Sequence, residues 1–195
     1  MDFSEVINGI ASMAKVIDSS GHRESAEMVS YAVQKLTSAN FCAEQISELH
    51  RGGVGDRAHA EATLFFCKAA LDCAVDAVNR RFGLQLSQKG MAASSEDLDR
   101  GLLKAKSALN AQARSRLAQE IETTLTSDWY SYLKWLRDRI THRGVANYVF
   151  EVGGTGQTFL KDPEGSTRSI PVKDDLRQLL GHSAGPIYSW MDAML

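Results

Sequence analysis

The densest group of chemically capable side chains lies in residues 135–144, which read Trp-Leu-Arg-Asp-Arg-Ile-Thr-His-Arg-Gly. His142 can exchange a proton near neutral pH, and the planar guanidinium of Arg137 can bind two phosphate oxygens at once. At an RNA phosphodiester, the imidazole can remove the proton of the 2′-hydroxyl as a general base. The guanidinium can stabilise the charge that develops on the five-coordinate phosphorus. These residue types are sufficient for RNA cleavage without a metal, and they predict catalytic roles for both side chains.

Asp138 precedes His142 by four residues, so the two share one face of a helix. We expect the Asp138 carboxylate to accept a hydrogen bond from the imidazole and to hold the ring in one orientation. A different interpretation stays open at this point. Acid and histidine at this spacing also form ordinary surface pairs, and the helix dipole favours basic side chains at a helix end.

Basic residues surround this group. Lys134, Arg139 and Arg143, together with Arg137, exceed Asp138 by three charges. The whole chain has 22 Lys and Arg against 24 Asp and Glu, a net charge of -2, so an anionic partner has to be met by a local patch. The segment therefore predicts RNA contacts for these three additional basic residues.

The helix that carries the segment begins at Ser127 or Asp128 and has two different faces. Its first face carries a stripe of apolar side chains at three- and four-residue steps, typical of packing on a core. Trp135 lies on the other side of the helix, away from the apolar stripe that packs on the core. We therefore expect Trp135 to lie in a dimer interface.

The remaining chain predicts a mainly α protein. Only three prolines occur, good helix formers are abundant, and apolar residues recur with helical spacing along most of the chain. Residues 1–50 predict an N-terminal helical extension packed on the core, and residues 56–195 predict the main helical domain. A long helix is predicted from Asp56 to about Phe82, ending at Gly83.

A short region of different amino-acid composition interrupts the predicted helices. Residues from about 145 to 172 are rich in β-branched and aromatic side chains and contain turn-like glycines. They predict a small β-hairpin or three-strand appendage. Two helices are predicted to follow, Asp174–Leu180 and Pro186–Leu195, because proline normally interrupts a helix.

Three cysteines cannot all pair within one chain, and Cys67 and Cys73 lie among apolar residues of the long helix. They predict reduced core thiols and hence a reducing compartment. The first residues lack the pattern of a signal peptide, and no stretch approaches a membrane span. The expected location is cytoplasmic. The histidines outside the segment lack metal-ligand spacing, so no metal and no cofactor are expected.

The motif Arg137-Asp138-x3-His142, late in a helix with a hydrophobic lead-in, resembles the ribonuclease motif of the HEPN superfamily. The helix ATLFFCKAALDCAVDAVNRRFG is similar to an early core helix of that superfamily. The resemblance implies a helical bundle that forms a homodimer, with two motifs in one cleft and metal-independent endoribonuclease activity that leaves a 2′,3′-cyclic phosphate. It also implies roles in defence or toxin systems, with an antitoxin as a protein partner. By motif position, Arg137 and His142 are catalytic and Asp138 supports them.

Two other classes of function remain open. The chain could be a non-catalytic, HEPN-like helical dimer that binds nucleic acid or a partner protein. It could also be a helical scaffold in which the basic helix end is merely solvated. Cleavage of RNA in the presence of a chelator would distinguish the ribonuclease from both the non-catalytic dimer and the scaffold.

Overall fold

A computed structural model describes residues 2–46, 54–84, 95–111, 115–143, 148–150, 158–161 and 167–195. Side chains are described for these residues except 54, 95–99, 110–111, 141–143, 148–150, 158–161 and 167–169. The predicted boundary, between an extension ending at residue 50 and a domain starting at residue 56, falls on residues 51–55. Of these, 51–53 lie outside the described residues, and 54–55 belong to a helix.

The described chain is a helical bundle with a small three-stranded sheet, which confirms the predicted fold class. The elements, in chain order, are α1 (Phe3–Ser19), α2 (Arg23–Gln45), α3 (Val54–Phe82), α4 (Ser95–Ala111), α5 (Ser115–Leu125), α6 (Asp128–Arg143), β1 (Tyr148–Phe150), β2 (Thr158–Lys161), β3 (Thr167–Pro171) and α7 (Val172–Met194). The sheet therefore lies in sequence between α6 and α7.

Capping side chains and glycines mark the ends of the first three helices. At the start of α1, Asp2 and Glu5 form a reciprocal capping box. Gly21 has a φ of 87° between α1 and α2, and Gly83 has a φ of 60° just after α3. Glycine adopts this left-handed conformation without steric cost, so both positions suit helix termination.

One hydrophobic core joins residues from all seven helices. Helices α2 and α3 pack against each other most extensively, and the buried Ser25 hydroxyl of α2 donates a hydrogen bond to the Ala77 carbonyl of α3 (2.8 Å). Helix α7 contacts α1, α2, α3 and α5, and its Trp190 is fully buried. At the α1–α7 contact, a Cβ at Gly9 would meet the Tyr188 ring at 2.5 Å, so only glycine permits this close approach.

The sheet is antiparallel and has the order β1-β2-β3. Tyr148 pairs with Leu160 and Phe150 pairs with Thr158 across the first two strands. The pairing of β2 with β3 contains an irregularity between Phe159 and Lys161. The three-strand form of the predicted appendage is therefore the correct one.

The prediction of two separate C-terminal helices, Asp174–Leu180 and Pro186–Leu195, is wrong. A single helix runs from Val172 to Met194 with Pro186 inside it. Proline removes one backbone hydrogen bond from a helix, but buried residues on both sides of it, including Ala184 and Ile187, hold the two halves in one core. Tertiary burial therefore outweighs the local propensity to break.

Among the described residues, no helix combines the length and the apolar character needed to cross a lipid bilayer.

Candidate nucleic-acid interface

Helix α6 carries the predicted site and is anchored by its apolar face. The Ser127 hydroxyl accepts a hydrogen bond from the Tyr130 amide (3.4 Å) and caps the first turn. Leu133, Leu136 and Ile140 are buried, as the stripe predicts. This face packs on α3, α4, α5 and α7, which fixes the orientation of the polar side chains around the rest of the helix.

Arg137 lies at the edge of the buried face, and its side chain is only 5% exposed. Its Nη1 donates a hydrogen bond to Asp138 Oδ1 at 2.8 Å, while the Asp138 side chain is 37% exposed. The arginine is thus held in place by the neighbouring carboxylate. Asp138, which the sequence assigns to His142, makes this contact with Arg137.

The backbone of α6 extends through His142 to Arg143. The side chains of both residues, and the predicted hydrogen bond between His142 and Asp138, lie outside the described residues. Helical geometry places the Cα atoms of Arg137 and His142 about 7.5 Å apart along the axis and about 140° apart around it. The two positions therefore belong to different sides of the helix.

Aromatic and basic side chains form a stack on one side of α6. The rings of Tyr132 and Trp135 are nearly parallel, with centroids 6.2 Å apart and an interplanar angle of 19°. The Arg139 guanidinium carbon lies 4.9 Å from the centroid of the Trp135 ring, within cation–π range. Trp135, Arg139 and Lys134 are half-buried, whereas Tyr132 is buried. The sequence predicts Trp135 for a dimer interface and the two basic residues for RNA; the structure brings Trp135 and Arg139 together.

A cavity of about 380 Å³ lies at the opposite end of α6, against α7. Its lining residues come from the start of α6 and the first half of α7: Asp128, Trp129, Tyr132, Asp175, Gln178, Leu179 and His182. The Tyr132 hydroxyl donates a hydrogen bond to Asp175 Oδ2 (3.0 Å), and Asp175 is 1% exposed. The Trp129 and His182 rings are stacked, with centroids 5.8 Å apart and an interplanar angle of 13°.

Sequence reasoning missed this cavity because its two sides are 43 residues apart where Tyr132 meets Asp175. The one available signal is the helical spacing of Asp175, Gln178 and His182, which places three polar groups on one face of a helix. An interpretation of His182 in isolation, with no ligand spacing to other histidines, does not reveal the cavity.

The cysteines are poor candidates for nucleophilic chemistry. Burial raises the pKa of the Cys67 thiol to about 12 and that of the Cys73 thiol to about 11, because desolvation penalises the thiolate. Burial also raises the pKa of Cys42. All three thiols are free, and they are protonated at neutral pH. Among the described side chains, no three His, Cys, Asp or Glu residues are grouped as a metal site requires.

The chain matches no family model, no curated protein and no solved structure. The HEPN resemblance therefore stays a prediction that depends on the motif in α6. The functional argument has to come from the geometry of α6 and its neighbours.

Proposed function

We propose that the chain is a metal-independent endoribonuclease that cleaves RNA at the C-terminal end of α6. The contact between the half-buried Trp135 ring and the half-buried Arg139 guanidinium is the observation that carries the proposal. Aromatic rings beside basic groups bind single-stranded nucleic acid, because bases stack on the rings and the cations neutralise phosphates. The Cα of His142 lies on the same side of α6 as that of Trp135, about 10.5 Å further along the axis. RNA bound across the stack therefore runs towards His142.

The reaction is an internal transfer at phosphorus. His142 removes the proton of a 2′-hydroxyl as general base, and the resulting oxygen attacks the adjacent phosphorus. The bond from phosphorus to the 5′-oxygen breaks, and the leaving oxygen takes a proton from solvent. The products are a 2′,3′-cyclic phosphate and a 5′-hydroxyl. A guanidinium beside the phosphorus stabilises the charge of the five-coordinate state, and this is the role of Arg137.

A second copy of the chain is part of the proposal. On one helix, Arg137 and His142 differ by about 140° in direction, so a single copy does not bring both groups directly to one phosphate. Two copies related by a two-fold axis can place His142 of one beside Arg137 of the other. The predicted interface residue Trp135 belongs to the same region of α6.

RNA binding without cleavage is the second candidate, and the burial of Arg137 favours it. The Arg137 side chain is 5% exposed and is paired with Asp138, so it packs as part of α6. A phosphate therefore has little access to its guanidinium. In this case the stack and Lys134 bind RNA, and the Arg137–Asp138 pair maintains the helix end. An antitoxin or another protein partner could occupy the same surface.

The test uses purified full-length protein and a mixed-sequence RNA in excess chelator. The proposal expects cleavage that ends in a 2′,3′-cyclic phosphate, loss of cleavage in His142→Ala, and resistance of an RNA with 2′-deoxy sugars. Arg137→Lys keeps the charge but loses the two-pronged geometry, and it should also lose cleavage. His182→Ala is the matched control, because it removes an exposed histidine from the cavity on the far end of α6.

Binding of RNA by wild type with no cleavage, and weaker binding in Arg139→Gln, would support the second candidate. Cleavage that persists in His142→Ala would contradict the nuclease proposal and indicate a contaminant. Size-exclusion chromatography with light scattering measures the number of copies. A strict monomer that still cleaves RNA would contradict the shared cleft.

A further inference from the structure

The cavity between the start of α6 and the first half of α7 contains a pair of stacked rings. The Trp129 and His182 rings are nearly parallel, at an interplanar angle of 13°. Trp129 is half-buried, whereas His182 is exposed. A third flat ring can continue such a stack on its exposed side. With a volume of about 380 Å³, the cavity has room for a heterocycle that lies against these rings.

Two polar side chains of the cavity lining are accessible to a ligand. Asp128 and Gln178 line the cavity, and both are exposed. Among the described residues, no hydrogen bond or ion pair engages either side chain. An ionised carboxylate can accept two parallel hydrogen bonds from a planar ligand, and an amide both donates and accepts. The exposed part of the cavity therefore favours a planar ligand with two adjacent donors.

The buried part of the cavity holds its walls in place. Asp175 is 1% exposed and accepts a hydrogen bond from the Tyr132 hydroxyl (3.0 Å). Its carboxylate is thus committed to the contact between α7 and α6, and binding of a ligand does not depend on it. Leu179, which is 2% exposed, adds an apolar wall. Walls that are already packed lose little conformational entropy when a ligand binds.

We propose that this cavity binds a guanine base, carried by a free nucleoside. Guanine presents two adjacent donors, N1–H and the 2-amino group, to which the Asp128 carboxylate can bond with both oxygens. The Gln178 amide can donate to the guanine O6 atom, and the ring system stacks on His182. Adenine has an acceptor at N1, which a carboxylate repels, so the same groups disfavour it.

The charge of Asp128 distinguishes a free nucleoside from a base within a strand. Every base of a strand carries phosphates on both sides of its sugar, and a carboxylate repels a nearby phosphate. A nucleoside brings no such charge to the exposed part of the cavity. The inference is therefore independent of RNA cleavage, which we place at the other end of α6.

Titration of the full-length protein with guanosine and with inosine tests the inference. Inosine lacks only the 2-amino group, so it stacks in the same way but offers the carboxylate one donor fewer. We expect guanosine to bind with a Kd of about 0.1 mM. Inosine should bind at least about fivefold more weakly, because one charge-assisted hydrogen bond is lost. The indole N–H signal in NMR spectra, assigned through Trp129→Phe, reports binding in the cavity.

The acidic side chain is tested by a matched pair of variants. Asp128→Asn should weaken guanosine binding by about fivefold or more, and it should bring guanosine and inosine within about twofold of each other. Asp174→Asn is the control. It removes the same charge from the first turn of α7, outside the described lining of the cavity, and should change both affinities by less than about twofold.

The stacking ring is tested in the same way. His182→Phe keeps a flat ring and should retain the affinity for guanosine within about threefold. His182→Ala should weaken it by about fivefold or more, because a stacked base is lost from an aromatic side chain. Circular dichroism of each variant shows that the fold is retained.

Absence of guanosine binding, or equal binding of guanosine and inosine by wild type, would overturn the inference. So would an effect of Asp174→Asn as large as that of Asp128→Asn. An oligonucleotide with a single guanine that binds more tightly than guanosine, with the same dependence on Asp128, would assign the cavity to a strand and overturn the free nucleoside. None of these measurements uses RNA cleavage, so this inference and the nuclease proposal fail separately.

Discussion

The two ends of α6 differ in charge, in burial and in how they are assembled. The C-terminal end concentrates basic side chains within ten residues of sequence, and its Arg137 is buried beside Asp138. The N-terminal end forms an acidic, aromatic cavity with α7, in which Tyr132 bonds to Asp175. The helix dipole favours this distribution of charge, but it does not explain the cavity or the stack. The two ends of α6 therefore differ in chemistry, with basic side chains concentrated at one end and aromatic and acidic side chains at the other.

The comparison also shows how the two ends are connected. Tyr132 belongs to both, because its hydroxyl bonds to Asp175 in the cavity while its ring stacks on Trp135. Arg139 then extends the stack towards the basic end. A ligand that moved Tyr132 would therefore change the surface on which RNA is proposed to bind.

The largest expected effect is on the rate of RNA cleavage, which should depend on one end of α6 and not on the other. If the C-terminal end is catalytic, His142→Ala should lower the rate of RNA cleavage by about 100- to 10,000-fold, because it removes the general base. His182→Ala, at the cavity end, should leave the rate within about twofold. Single-turnover cleavage of a labelled RNA measures both rates. Equal losses in the two variants would contradict the assignment of catalysis to one end.

The next effect is on stability, and it tests the cavity end. Tyr132→Phe removes the hydroxyl that bonds to the buried Asp175, so the free energy of unfolding should fall by about 1–3 kcal/mol. Urea unfolding followed by circular dichroism measures the change. Tyr31→Phe is the control, because Tyr31 is 47% exposed, and it should change stability by less than about 0.5 kcal/mol. A Tyr132→Phe variant as stable as wild type would mean that the hydrogen bond to Asp175 contributes nothing.

A smaller loss is expected at the basic end. Asp138→Ala removes the acceptor of the Arg137 hydrogen bond, and the free energy of unfolding should fall by about 1 kcal/mol, since Asp138 is itself partly solvated. Asp174→Ala is the comparison, because Asp174 faces Arg177 at 3.7 Å on the surface and should cost less than about 0.5 kcal/mol. Denaturant titration of both variants gives the difference. If Asp174→Ala lowers the free energy of unfolding as much as Asp138→Ala does, the Arg137–Asp138 hydrogen bond contributes no more to stability than a surface ion pair.

The smallest effect concerns RNA affinity. Arg139→Gln should weaken RNA binding by about two- to fivefold and should reduce the slope of log affinity against log salt by about 0.7, the value for one lost phosphate contact on a single strand. Fluorescence anisotropy at several salt concentrations measures both quantities. Arg116→Gln serves as the control, since Arg116 pairs with Asp192 at 2.6 Å, on α5 and α7. An unchanged slope in Arg139→Gln would remove this residue from the proposed RNA surface.

Much of the fold follows from local pattern. The apolar stripe of α6, the capping box of α1 and the stop of α3 near Gly83 all depend on residues within a few positions of one another. The three short strands were predictable from β-branched and aromatic composition. The continuous α7 was not, because proline at 186 signals a break locally while the burial that overrides it comes from helices distant in sequence.

The candidate sites also have features that follow from the sequence and features that depend on tertiary packing. The sequence by itself determined the helical fold class and the concentration of Arg137, Asp138 and Arg139 near one helix end, because the period of a helix converts sequence spacing directly into position. Only the tertiary structure decided that Arg137 is buried against Asp138 and that Tyr132 meets Asp175. Those contacts depend on how α6 packs against its neighbours, and packing between distant segments is set by the fit of whole helix faces rather than by any local spacing.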